Sequence, residues 1–95
     1  MKNALLYTIV IATCLLSSPA MAQDCYADYK AKQDAPLRLH YGVMQVSSCQ
    51  EAQAKTEVAD RLSAAGWTLL SVLSVFGPEG LQERKGDAGP NYLRY

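Results

Sequence analysis

The chain has 95 residues, of which 49% are hydrophobic, with 9 basic and 9 acidic side chains. That length holds one small domain. The even charge supplies neither an electrostatic footprint for nucleic acid nor a basic helix for an anionic membrane, so partners of those two classes are not expected.

The first residues read as a secretory signal peptide. Met1-Lys2-Asn3 is a short positive start, Ala4 to Leu16 is apolar, Ser17-Ser18-Pro19 breaks the run, and Ala20-Met21-Ala22 is a small-x-small cleavage signal. Two alternatives exist. A membrane anchor would need roughly twenty apolar residues, more than this run has. A lipoprotein site at Cys14 would want a residue smaller than Thr13 before it. Cleavage after Ala22 divides the chain into a signal peptide (1–22), an N-terminal arm (23–36) and a domain (37–95), and places the mature protein in a bacterial periplasm or outside the cell. Losing Lys2 leaves 8 basic against 9 acidic side chains, and losing Cys14 leaves Cys25 and Cys49. In an exported chain this small, two cysteines point to one disulfide. The closed loop of about 25 residues is worth roughly 3–4 kcal/mol of loop-closure entropy.

Gln23 to Pro36 is polar and mixed, without a sustained period, and is expected to be an irregular arm held by Cys25. From Leu37 to Val46 the chain alternates, with Leu37, Leu39, Tyr41 and Val43 on one face and Arg38, His40 and Gly42 on the other. That is a half-buried strand, and Gly42 marks a bulge or a close backbone approach. Ser48 and Glu51 have the spacing of a capping box. The helix they open runs to about Ala65, with a small-residue stripe through Ala52, Lys55, Val58 or Ala59, Leu62 and Ala65, and Gly66 stops it.

Trp67 to Phe76 is then the most apolar run of the mature chain, bounded by Gly66 and Gly77-Pro78. Neither alternating set is polar, so this run is expected to be the central strand, covered on both faces. One helix covers one face. The arm, the later loop or another subunit must cover the second. Gly77 to Pro90 reads as a long loop with a helical turn near Leu81-Gln82-Glu83, and Asn91 to Tyr95 as a short closing strand. The expected class is α+β: a two-layer β-α-β-β sandwich, one helix on a three-stranded mixed sheet, with a right-handed crossover making the first two strands parallel.

Three segments carry a family resemblance. They are Tyr41-Gly42-Val43-Met44-Gln45-Val46, then Leu62 to Val72 with its Gly66-Trp67-x-Leu69-x-Ser71-Val72 core, and Asn91-Tyr92-Leu93-Arg94-Tyr95. Over roughly Leu37 to Tyr95 the chain resembles the bacterial domain-of-unknown-function family 4177. Thr68 stands where that pattern has an acidic residue, and the leader and cysteine pair are additions. The resemblance implies the strand, helix, strand, strand order and brings no activity or catalytic residue.

No reaction constellation is legible. His40 is the sole histidine, with no spacing that implies a Ser/His/Asp set, and two cysteines with one histidine do not make a zinc site. The cysteines lack a C-x-x-C spacing, and the loop glycines match no phosphate-binding fingerprint. No catalytic residue, metal or cofactor is therefore expected. Trp67 is a core residue or an anchor for a partner. With Glu83, Arg84 and Lys85 of the loop it forms the candidate partner-binding set. The expectation is a non-enzymatic exported interaction module binding an unidentified protein or a second copy of itself. The alternative is a small periplasmic enzyme or inhibitor acting through the 77–90 loop.

Overall fold

The computed structural model describes residues 24–95. The signal peptide expected over 1–22, Cys14 included, lies outside the described residues. The chain runs β1 (Cys25–Gln33), β2 (Arg38–Val46), α1 (Glu51–Ala64), β3 (Thr68–Phe76), a 3-10 turn at Pro78–Gly80, α2 (Leu81–Ala88) and a second 3-10 turn at Gly89–Asn91. The strands form one sheet in the order β2-β1-β3, antiparallel throughout. The class is α+β, but the topology departs from the expected β-α-β-β.

The largest correction falls on residues 23–36. Most of that segment is not an irregular arm: it is β1, the central strand. Cys25, Ala27, Tyr29 and Ala31 are buried on one face, and Tyr26 and Asp28 on the other. The period of two is present, carried by alanines on one side and by Asp28, Lys30 and Lys32 on the other. Those residue types are depleted in strands, and they hide the pattern.

A second correction follows. The apolar run Thr68–Phe76 is a strand, but an edge strand. Its pairing with β1 slips twice, between Asp28 and Tyr29 and between Lys30 and Ala31, so Leu73 and Leu70 have no partner opposite. Each slip resets which face the following residues occupy. Val75, Val72 and Leu69 therefore pack on the α1 side, opposite Ala27, Tyr29 and Ala31. A strict alternation cannot place all three on one face.

Helix α1 lies on the Cys25-Ala27-Tyr29-Ala31 face and buries Ala54, Val58 and Leu62 there. It ends where expected: Ala65 caps it and Gly66 has φ +85°, the left-handed conformation that glycine adopts without steric cost. Its start differs from a capping box. Gln50 is the N-cap and makes no side-chain cap bond, while the Ser48 hydroxyl accepts from the Gln50 amide instead. The Cys25–Cys49 disulfide is formed, with Cα atoms 5.4 Å apart. It ties the first residue of the central strand to the approach to α1.

The faces of β2 are assigned the other way round from the sequence reading. His40, Gly42, Met44 and Val46 face α1, across from Ala31, Tyr29, Ala27 and Cys25. Leu37 and Leu39 are 65% and 66% exposed. Gly42 is a close approach and not a bulge: Tyr29 lies across it, and a Cβ there would sit 2.6 Å from the ring's Cζ. Tyr29 is fully buried and has no room to yield. Gly42→Ala is therefore expected to destabilise the fold by about 1–3 kcal/mol, the usual cost of overpacking, read as a lower urea midpoint at unchanged slope.

Residues 77–90 are not a long loop. Gly80 is buried against Arg84 and Phe76, and α2 follows it. Ala88, with Leu81 and Tyr92 beside it, packs on Tyr26, Val43, Tyr41 and Phe76, on the sheet face opposite α1. Two helices thus flank the sheet where one was expected. The closing strand at 91–95 is absent; Tyr92 makes only an isolated parallel bridge to Val43, and the Leu93 amide donates to the Val43 carbonyl at 2.8 Å.

Candidate functional site

Three polar or concave features merit comparison, beginning with the clamp under α2. Asp28 is 6% exposed in the middle of β1. Its Oδ1 accepts from Ser74 Oγ at 2.6 Å, and its Oδ2 from Tyr41 OH at 2.9 Å and Arg84 Nε at 3.2 Å. Burial pushes the Asp28 carboxyl up. The hydrogen bonds from Ser74, Tyr41 and Arg84, with the Arg84 charge, outweigh it and hold the group below the usual carboxylate range. Tyr41 is pushed up to about 12, by burial first and then by its bond to Asp28. The Arg84 guanidinium also lies 3.9 Å over the Phe76 ring and donates to the Gly80 carbonyl at 2.7 Å. Every polar group here is engaged within the chain, which makes this a structural clamp.

The second feature is the aromatic cluster at His40. Tyr29 OH lies 2.9 Å from His40 Nε2, the Trp67 ring meets His40 edge-on at 4.2 Å, and Tyr95 stacks on it at 5.6 Å. His40 Nδ1 is buried without a hydrogen-bond partner. Burial, aided by the nearby Arg94 charge, holds His40 below its ordinary value. Burial likewise pushes Tyr29 well above the usual phenol range. The sign of the consequence is definite. At pH values below about 6.5 but above the depressed folded value, the unfolded chain binds the proton and the folded chain does not. Stability is therefore full above about pH 6.5, falls as pH drops below it, and levels off once the folded histidine titrates. His40→Gln is expected to flatten this portion of the stability–pH curve, measured by urea unfolding at pH 7.5 and 5.

The third feature is a pair of clefts. The larger, about 420 Å3, is lined by Asp24, Cys25, Gln45, Val46, Ser47, Glu57 and Arg61. Two of its three charged side chains, Glu57 and Arg61, are already engaged. Arg61 pairs with Glu57 at 3.0 Å and donates to the carbonyls of Gln45 and Tyr95, and Glu57 accepts from the Ser47 amide. The smaller, about 260 Å3, lies between Leu39 and Leu70 and also touches Lys30, Ala31, His40 and Tyr41.

The sequence-predicted residues do not converge. Cys25 and Cys49 pair as expected. Trp67 is half-buried against the α1-side core, so it sits as a core residue. Arg84 is tied into the clamp, Glu83 pairs with it at 2.8 Å, and Lys85 lies 5.6 Å over Tyr92. Sequence reasoning missed Leu39, Leu70 and Lys30, which share the smaller cleft. The alternation puts Leu39 on the apolar face of a half-buried strand, and the double slip of β3 that extrudes Leu70 has no sequence signature. Among the described residues no group of three His, Cys, Asp or Glu side chains is placed to hold a metal ion. No family model matches the chain, and neither a curated protein nor a solved structure matches it.

Proposed function

We propose that the protein is an exported, disulfide-stapled interaction module, non-enzymatic, that docks a protein partner on the end of the sheet that α2 leaves open. The observation that carries this is the exposure of Leu39 and Leu70, at 66% and 51%, on one cleft, with Leu37 also 65% exposed two residues before Leu39, in a domain too small to spare apolar surface. Helix α2 shelters Tyr26, Val43 and Phe76 and stops there. The disulfide fits an oxidising compartment, the periplasm in this reading. The resemblance to domain-of-unknown-function family 4177, through Gly66-Trp67-x-Leu69-x-Ser71-Val72, belongs to the same reading and adds no activity. The alternative of an enzyme or inhibitor acting through residues 77–90 is not favoured in this reading, since that segment forms a 3-10 turn and α2 packed on the sheet.

The test compares the mature oxidised chain with a Leu39→Asp/Leu70→Asp variant, by sedimentation and by capture from a cell-envelope fraction. Both positions are exposed, so the variant is expected to keep the parent melting temperature. Self-association or capture by the parent that is lost in the variant supports the reading. A monomer that captures nothing, or capture that survives both substitutions, contradicts it.

A further inference from the structure

We infer that the cleft between Leu39 and Leu70 takes the C-terminal residue of a partner protein, an aliphatic one, with its α-carboxylate on Lys30. This rests on the docking reading above and names the chemistry of the contact. Lys30 projects from the central strand, flanked on its own face by Tyr41 of β2 and Ser71 of β3. Among the described residues it has no ion pair, whereas its neighbour Lys32 is matched by Asp34 at 3.5 Å. The buried acid on this face, Asp28, is neutralised by Arg84 and offers Lys30 nothing. Among the described residues Lys30 is thus the one lysine or arginine lining a cleft shared with two exposed leucines and Tyr41, and the complementary ligand is apolar and singly anionic.

Size and strand geometry narrow the source of that anion. The cleft, at about 260 Å3, is smaller than the roughly 300 Å3 at which pockets for drug-sized ligands begin. That is the scale of a single residue and not of a peptide stretch, and Lys30 and the apolar walls line the same cleft. Within an extended peptide, adjacent side chains point to opposite sides, and an acidic–aliphatic i, i+2 pair shares a side but sets its groups roughly 6.5–7 Å apart, too far to enter one small cleft together. A C-terminal leucine, isoleucine or valine carries its carboxylate and its apolar group on one residue.

The experiment is an NMR titration of the 15N-labelled, oxidised mature chain at low ionic strength. The probes are the N-acetylated tetrapeptide Ala-Ala-Ala-Leu with a free C-terminus, the same peptide as its amide, and octanoate. The free-acid peptide is expected to shift the amides of Lys30, Leu39 and Leu70. The amide is expected to bind about three- to fivefold more weakly, the range of an exposed ion pair. Lys30→Gln is expected to abolish that preference and Lys30→Arg to keep it, both without changing the melting temperature. Equal binding of acid and amide, or shifts confined to other residues, overturns the assignment. Binding of octanoate but not of the peptide also overturns it, and assigns the cleft to a lipid carboxylate. These failures leave partner capture sensitive to Leu39→Asp/Leu70→Asp intact, whereas insensitivity of capture to that variant defeats the docking reading itself.

Discussion

Replacing Cys25 and Cys49 together by alanine is expected to lower stability by about 3 kcal/mol, within the 2–5 kcal/mol typical of small disulfide-bonded domains. The closed loop, 24 residues in sequence separation, contains the whole β1–β2 hairpin, so the bridge removes much of the unfolded chain's freedom. It also acts in the folded state. Helix α1 has no side-chain cap at its start, and the bridge anchors the residues leading into it to the central strand. A domain of this size has roughly 5 kcal/mol of total stability, at the low end of the usual range, so the loss leaves little margin. Urea unfolding of the oxidised parent, the reduced parent and the double alanine variant checks this. The last two are expected to coincide, well below the first. Coincidence of all three would mean that the sheet and helices hold without the staple.

The second large effect is expected from Arg84→Met. It removes the only cationic partner that Asp28 has among the described residues and leaves its carboxylate on a covered sheet face. Stripping one member from a buried pair costs about 3–5 kcal/mol. Arg84 keeps 22% side-chain exposure, which places the expectation near 3 kcal/mol. The Asp28→Asn/Arg84→Met double variant is expected to recover part of that loss, since an amide still bonds Ser74 and Tyr41 without carrying a charge. Acid denaturation gives an independent readout. Because the folded Asp28 is held below its ordinary value of 3.8, its contribution is full above that pH and disappears as pH falls through the folded value. Without Arg84 that folded value rises, so acid sensitivity should begin at higher pH. An unchanged acid limb and a loss below about 1 kcal/mol would mean that the pair behaves as an ordinary surface contact.

Several parts of this fold are legible in the sequence for identifiable reasons. Helix α1 ends at Gly66 because only a residue tolerant of positive φ fits there. The cysteine pairing follows from the two cysteines that remain once residues 1–22 are set aside as the expected leader. The helical turn near Leu81 is visible, although the whole of α2 is not, since its outward face is glycine, charge and amide. β1 stays hidden because, Tyr29 apart, its α1-side residues are small, and, Tyr26 apart, those of its other face are charged. It becomes a strand only once α1 covers the alanines and Arg84 neutralises Asp28. The face assignment of β2 fails because both of its faces carry apolar groups, and volume decides between them. Tyr29 needs the bare backbone of Gly42 beneath it, which draws the Gly42 side inward and turns Leu39 out. The open cleft inherits both surprises: Lys30 comes from the hidden strand, and Leu39 from the reversed one.

The claim on which the rest depends is that α2 shelters one end of its sheet face and leaves the other open. Leucine-methyl NMR of the dilute, oxidised chain spanning residues 23–95 with a soluble paramagnetic co-solute tests it directly. Leu39 and Leu70 methyl signals are predicted to broaden strongly while Leu62, fully buried between α1 and the sheet, does not. Methyl signals of Leu39 and Leu70 as protected as those of Leu62, unchanged on further dilution, would contradict the account.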